Sequence, residues 1–245
     1  MLESSQLSKS FGKLKALDSV SVHMEAGQAV SLVGPNGSGK TTFLKCLLGL
    51  VIPDSGDLRL NGQSVLQHWD YRRHIGYMPQ IGRYPDHMRV GQVFDMVREI
   101  RRDAFNRLDD DLMQAFEVEK FSHKTMRTLS GGTRQKVSAC LAFLFDPDVL
   151  VLDEPTAGLD PIASEILKEK VLAEKDKGKL VLLTSHILSD LEELTTNVMY
   201  IMEGQVQFYE PIEQLKSRTG EGKLNRALAQ VMKQAGQSRK KADVD

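Results

Sequence analysis

The chain has 245 residues, 41% of them hydrophobic and 27% charged, with a formal net charge of −1. This is the balance of a globular protein able to bury a sizeable core, and it lacks the overall basic charge that draws a protein to nucleic acid. Cys46 and Cys140 sit in apolar runs without a CxxC spacing, no basic-then-apolar leader is present, and no apolar run nears the ~18 residues of a membrane span, so disulfide scaffolds, metal knuckles and membrane-crossing helices are excluded and a reducing compartment fits.

From the N-terminus, Val20, Val22 and Met24 alternate with Ser21 and His23, the pattern of a half-buried antiparallel strand. "AVSLV" (29–33) is a continuous apolar run, expected of a strand buried on both faces. It leads into Gly34, and from Lys40 "KTTFLKCLLGL" reads as a helix. "GDLRLNGQ" (56–63) reads as a strand closed by an Asn-Gly turn. Between about 84 and 145 the character is helical, in "VGQVFDMVREIRRD", "DDDLMQAFEV" and "RQKVSACLAFLF". Strand and helix then alternate: strand 148–155, helix 161–176, strand 179–185, helix 187–195, strand 197–202 and one further strand in "VQFYEP". Such alternation predicts a parallel sheet with right-handed crossovers. The fold class is therefore α/β: a mixed domain with an antiparallel β portion over residues 1–216, carrying an inserted helical lobe at about 82–146.

Residues 217–245 read as a basic helix and tail. From 216 onward eight Lys/Arg stand against three Asp/Glu, which leaves a net −6 on residues 1–215. Leu224, Leu228, Val231 and Ala235 recur at helical spacing, so an amphipathic helix docked on its own domain is expected; contact with a membrane partner or lipid is the alternative. "SRKK" (238–241) reads as a disordered tail. The histidines at 23, 68, 74, 87 and 123 show no metal-ligand spacing, and the ten methionines are scattered at core-like positions. Trp69, between two strands, is expected against the lobe.

The chemistry is concentrated in a few motifs. Gly34-Pro35-Asn36-Gly37-Ser38-Gly39-Lys40-Thr41 completes the eight-position P-loop pattern between a buried strand and a helix. Its glycines let backbone N–H groups turn inward around a β-phosphate, and the helix N-terminus adds a favourable dipole. Lys40 is placed for the β/γ-phosphates, and Thr41 is a hard-oxygen ligand for Mg²⁺. The pattern predicts a bound nucleoside triphosphate. Asp153 ends the apolar strand "VLVLDEP" and so lies at the carboxyl edge of the sheet, suited to Mg²⁺, with Glu154 beside it to polarise water. His186, after the next buried strand, reaches the same edge, where it can donate to the γ-phosphate. Gln80 closes another strand and offers a neutral oxygen to Mg²⁺ or water where the lobe begins, a position suited to coupling.

A second anion-holding device, "LSGGTRQKV", is a Ser-Gly-Gly turn running into a helix at 129–137. Together these motifs resemble the ATP-binding subunit of an ABC transporter, over nearly all of residues 1–216 and in the family's order: P-loop 34–42, Gln loop at Gln80, signature 129–133, Walker B 149–154, D-loop Ala157–Asp160, switch His186. The resemblance implies ATP hydrolysis with Mg²⁺, Thr42 among the phosphate ligands, and Phe11 stacking the adenine. It implies a homodimer or paired ATPase subunit packed head to tail, in which Ser130, Gly131 and Gly132 of each chain close over the other's ATP. It also implies integral membrane subunits as partners and a peripheral place on the cytoplasmic face of the inner membrane. Two positions depart from the family: Thr133 where Gln is usual, and Phe11 where Tyr is common. Neither removes the clamp or the stacking face.

Within the family the compact lobe and the stretch after His186 are similar to the exporter-like branch, and most to the bacterial ATPase serving copper-site maturation of nitrous oxide reductase. A soluble relative acting on ribosomes or DNA is the rival. It is disfavoured by the single P-loop and by the 90 residues, without heptads, that separate Lys40 from Ser130.

Overall fold

A computed structural model describes residues 1–102 and 108–242, the last nine of these as backbone. The first two strands, β1 (Leu2–Phe11) and β2 (Leu14–Met24), pair antiparallel with Leu2 opposite Met24. The alternation of Val20, Val22 and Met24 points these side chains inward, while Ser21 and His23 stay in solvent. β4 (Ser55–Leu60) adds antiparallel to β1, and β5 (Gln63–Ser64) returns from the Asn61-Gly62 turn, completing a sheet of order β2-β1-β4-β5. Asn61 and Gly62 both take positive φ, at 50° and 80°, as a two-residue hairpin turn requires.

The larger sheet is built from β3 (Ala29–Val33), β6 (Ile75–Met78), β7 (Val149–Asp153), β8 (Leu180–Thr184), β9 (Asn197–Met202) and β10 (Gln205–Pro211), in the order β10-β9-β3-β8-β7-β6. All but β10 run parallel. Alternate residues of each strand feed two apolar cores. Ala29, Leu150, Leu152, Val181 and Leu183 face one side, whereas Val30, Leu32, Val149, Val151, Leu180 and Leu182 face the other. A strand covered on both faces favours apolar residues along its length; the one polar side chain inside β3, Ser31, is fully buried and donates to the Asn197 carbonyl at 3.2 Å. The second side is closed by α1 (Lys40–Leu47), through Phe43, Leu44 and Leu47, and by the antiparallel sheet.

The other side carries the remaining helices. The lobe comprises α2 (Val90–Arg101), α3 (Asp111–Ala115) and α4 (Gly131–Phe143). The helix expected over 109–118 is shorter, because Glu117 turns left-handed (φ 52°) and a 3₁₀ turn follows. α4 begins three residues before Arg134, where Ser130 accepts a hydrogen bond from the Thr133 N–H at 3.2 Å as its N-cap. α5 (Pro161–Asp176) matches its expected span, capped by Asp160 and opened by Pro161. α6 (Leu188–Leu194), α7 (Ile212–Thr219) and α8 (Leu224–Ala242) follow. The division expected at residue 216 falls inside α7, and Leu224, Ala227 and Leu228 of α8 belong to the same buried cluster as the lobe. The backbone of 238–241, expected as a tail, continues α8. Trp69, expected against the lobe, is 74% exposed instead, and His74 hydrogen-bonds Asp148 at 2.8 Å on the surface.

A buried ion network joins lobe to sheet. Glu174 of α5 is fully buried and is met by Lys170 (3.1 Å), Lys177 (2.7 Å) and Lys179. Lys170 also binds Asp109 and Asp111 of the lobe, both at 2.6 Å, and Lys179 reaches Asp146. Burial alone pushes the Glu174 carboxyl up, but its hydrogen bonds from Lys177, Lys179 and Lys170 outweigh this and hold it at about 2. A depressed carboxylate stabilises the fold fully above its unfolded value, near 4.5, and loses that contribution as pH falls toward 2. Urea midpoints are therefore expected to hold down to about pH 5 and to fall below it; removing one partner of such a buried charge costs about 3–5 kcal/mol, so Lys170→Ala should lower the midpoint at neutral pH and flatten the acid-side loss. An unchanged acid profile in that variant contradicts the assignment.

Candidate functional site

Three neighbouring parallel strands, β3, β8 and β7, end at one edge, and each continues into a polar loop. After β3 comes Gly34 and the loop to α1; after β7, Asp153 and Glu154; after β8, Ser185 and His186. The loops enclose a cavity of about 500 Å³. From the loop and the start of α1 it is lined by Gly34, Asn36, Gly37, Ser38, Gly39, Lys40, Thr41 and Thr42. Gln80, Asp153, Glu154 and His186 complete its polar side, and Phe11 stands at its rim, 51% exposed, with the Lys9 ammonium 5.5 Å from its ring. Pro35 takes part through its backbone. Lys40 Nζ donates to the carbonyls of Gly34 (2.6 Å) and Pro35 (2.9 Å), curling back over its own loop.

The loop's path depends on glycine where side chains do not fit. Gly39 caps α1 with φ 112°, and a Cβ there would lie 2.4 Å from the Ala16 carbonyl oxygen. Ser38 Oγ is buried in this loop and has no hydrogen-bond partner. A buried hydroxyl without a partner calls for an acceptor oxygen, so the residues fit a phosphate chain. Thr41, Gln80 and Asp153 present three hard oxygens on the same cavity, a donor set that suits Mg²⁺. Burial draws the Lys40 ammonium below the ordinary lysine range, while Glu154 and Asp153 act the other way and favour its charge.

The acidic pair is held in place from outside. Thr184, in register with Asp153, donates its hydroxyl to Asp153 Oδ1 at 2.5 Å. The Glu154 N–H reaches the Thr184 carbonyl (3.1 Å), and Glu154 takes a left-handed φ of 54°. His186 Nε2 lies 3.0 Å from Glu154 Oε1. Gln135 of α4, almost fully buried, donates to the carbonyls of Glu154 (3.4 Å) and Pro155 (3.5 Å). Thr184 and Gln135 did not stand out in the sequence. Thr184 had a signal in being the polar residue closing an otherwise apolar strand; Gln135 had none, because only the fold brings α4 onto the end of β7.

Ser130, Gly131 and Gly132 are not brought to this cavity. They form the first turn of α4, where Ser130 Oγ is paired with Thr133 Oγ1 at 2.8 Å, so the unusual Thr133 has a local role in the cap. Gly132 packs on the loop before α5: a Cβ there would meet the Gly158 carbonyl oxygen at 2.6 Å. Lys136 of α4 binds Asp160 at 2.8 Å. Elsewhere, Ile52, Leu66 and Trp69 line a shallow groove of about 240 Å³ and are 77%, 44% and 74% exposed, and Ile81 next to Gln80 is exposed as well. Among the described residues no helix is long and apolar enough to cross a membrane.

Comparison with known proteins agrees with this geometry. A family model described as "ABC transporter" matches residues 17–157. The chain is 34% identical over 203 residues to the Nod factor export ATP-binding protein I of Ralstonia nicotianae, a match covering 81% of this chain and 63% of that one. It is 32% identical over 213 residues to the mouse phospholipid-transporting ATPase ABCA3, covering 85% of this chain and 12% of the relative. It thus spans less than two thirds of either relative's length. Among solved structures, an ATP-binding subunit of an ABC transporter superposes with a TM-score of 0.86 at 27% identity, over 95% of this chain and 99% of the other. An ATP-binding cassette dimer bound to ADP and Pi shares the fold, with a TM-score of 0.75 at 22% identity, over 86% and 98%. The chain belongs to the ABC transporter family, as an ATP-binding ATPase domain whose cofactors are ATP and Mg²⁺.

Proposed function

We propose that the chain is the engine of an ABC transporter, driving separate membrane subunits through ATP-dependent, head-to-tail pairing of two such domains. The observation that carries this is a division of labour within one chain. Lys40, Asp153, Glu154 and His186 line one cavity, while the Ser130–Gly132 turn lies on α4 outside it. A helix N-terminus with free N–H groups favours an anion, and in a symmetric pair that anion is the γ-phosphate held by the partner chain.

In each site the backbone from Gly34 to Gly39 and the Lys40 ammonium hold the phosphates, Thr41 and Thr42 close the loop, and Phe11 stacks the base. Thr41, Asp153 and Gln80 would hold Mg²⁺, which would supply positive charge to offset that on the phosphates. Glu154 takes a proton from the attacking water as that oxygen bonds to the γ-phosphorus and the bond to the ADP oxygen breaks. His186, already within hydrogen-bond distance of Glu154, holds that carboxylate in line and donates to the γ-phosphate. Thr184 orients Asp153 for the metal.

Binding of ATP then joins the two domains, and hydrolysis with product release parts them. The exposed apolar groove at Ile52, Leu66 and Trp69 supports a seat for a membrane subunit that takes up the motion, and with it a peripheral position of the chain on the cytoplasmic face of the inner membrane. The names of the relatives, Nod factor export and phospholipid transport, support an exporter. The finer reading, service to copper-site maturation of nitrous oxide reductase, is supported by the likeness of the stretch after His186.

Glu154→Gln is expected to bind ATP and accumulate as a dimer on size exclusion, with turnover down roughly 10²–10⁴-fold, the usual worth of a general base; near-normal turnover removes Glu154 from its role. In Thr184→Val the Mg²⁺ needed for half-maximal turnover should rise about tenfold or more, the usual cost of losing an outer-shell ligand contact, with the thermal midpoint little changed. Recovered in the ATP-locked Glu154→Gln form from detergent-solubilised native membranes, the chain should bring down a polytopic membrane protein, identified by mass spectrometry, and lose it on Trp69→Glu. Ribosomal or nucleic-acid factors in its place would overturn the transporter reading.

A further inference from the structure

The functional reading leaves the C-terminal helix without a task, yet α8 lies on the nucleotide cavity. Asn225, Leu228, Ala229 and Met232 line it together with Phe11, the P-loop and His186. They recur at i, i+3, i+4 and i+7, which puts them on one stripe of the helix. The neighbouring stripe is anchored: Leu224 and Ala227 are fully buried in the core shared with the lobe, and Val231 packs on it. The start of α8 is pinned by Glu192 of α6, which accepts from the Leu224 N–H at 3.3 Å and pairs with Lys216 of α7 at 2.9 Å. Gly220, with φ 71°, ends α7 and makes the turn that sets this course. The helix is thus held by one face and offers the other to the site. That offered face has no charge; Ala229 and Asn225 are exposed on it, and Met232 is 38% exposed.

We propose that α8 is an additional wall of the nucleotide site, and that its Asn225–Ala229–Met232 stripe lies against bound ATP. The proposal rests on the reading of the cavity as the ATP site. An apolar, adaptable wall suits the nucleoside and excludes water from it, whereas the phosphates are served by the P-loop. The wall makes residues beyond 216 part of nucleotide affinity.

Charge placed on the wall reports its position. Ala229→Lys and Ala229→Glu both retain good helix formers, so neither should disturb folding. In the Glu154→Gln background, where ATP is not consumed, isothermal titration should give ATP tighter binding to the lysine variant than to the glutamate variant. With a polyphosphate about 10 Å away and moderate screening, the ratio should be roughly fivefold to tenfold, smaller for ADP, and should shrink with added salt. Arg226→Glu is an equal two-charge swing on an exposed residue outside the stripe, and it should shift ATP affinity by less than about twofold. Equal ATP affinities for the two Ala229 variants, or an equal swing at Arg226, overturn the wall. If the parent chain binds no ATP, the assignment of the cavity falls with it; if the parent binds and the swing is missing, only the role of α8 falls.

Discussion

The parallel pairing of β3, β8 and β7 is the constraint from which the rest follows. Parallel neighbours end at the same edge, so the loop after each strand emerges beside the loop after the next. The register that sets Asp153 opposite Thr184 brings the P-loop lysine, the acidic pair and His186 around one cavity. Antiparallel pairing of any one strand would send its loop to the far edge. The two apolar cores exist to hold this register, because a one-residue slip would turn each strand's inward set to the opposite face.

The site itself is less comfortable than the sheet beneath it. Glu154 is held left-handed, Ser38 Oγ is buried without a partner, and Lys40 curls over its own carbonyls. A non-glycine residue in that backbone region costs of order 1 kcal/mol and persists only where its neighbours over-determine it. Here the neighbours are the Thr184 carbonyl that accepts from Glu154 and the Gln135 amide that donates to it. Gln135 belongs to α4, the helix that also begins with the Ser130 turn. That helix is therefore tied by its side to the end of the strand that carries Asp153. Lys136 with Asp160, and Gly132 against Gly158, add two more ties between α4 and the loop before α5.

Much of this was legible in the residues. The mainly apolar runs ending before Gly34, at Asp153 and at Thr184 read as buried strands, and α5, opened by Asp160-Pro161, announced its own start. Local signals failed where a long-range contact decided the outcome. Helix α3 is short because Glu117 turns left-handed, which no propensity of "DDDLMQAFEV" indicates. Trp69 lies in solvent, although its size argued for packing: its neighbours Val65 and Tyr71 fill the core contacts of this segment, and Trp69 is left on the outer side.

The sequence by itself determined which residue types stand at which spacings: the glycines and Lys40 of the P-loop pattern, Asp153 and Glu154 at the end of an apolar strand, and His186 after the next one, because spacing is written along the chain. Only the tertiary structure decided what stands beside what. It put Thr184 on Asp153 and Gln135 on the Glu154 carbonyl, and it brought Asp109, Asp111 and Asp146 to the lysines around Glu174, across separations in sequence that carry no periodic signal. It also turned α8 from a basic amphipathic stretch into a helix with one face in the core and the next on the nucleotide cavity. The physical reason is the same in each case. Periodicity tells which face of an element is apolar, but the partner of that face is chosen by the packing of the whole chain.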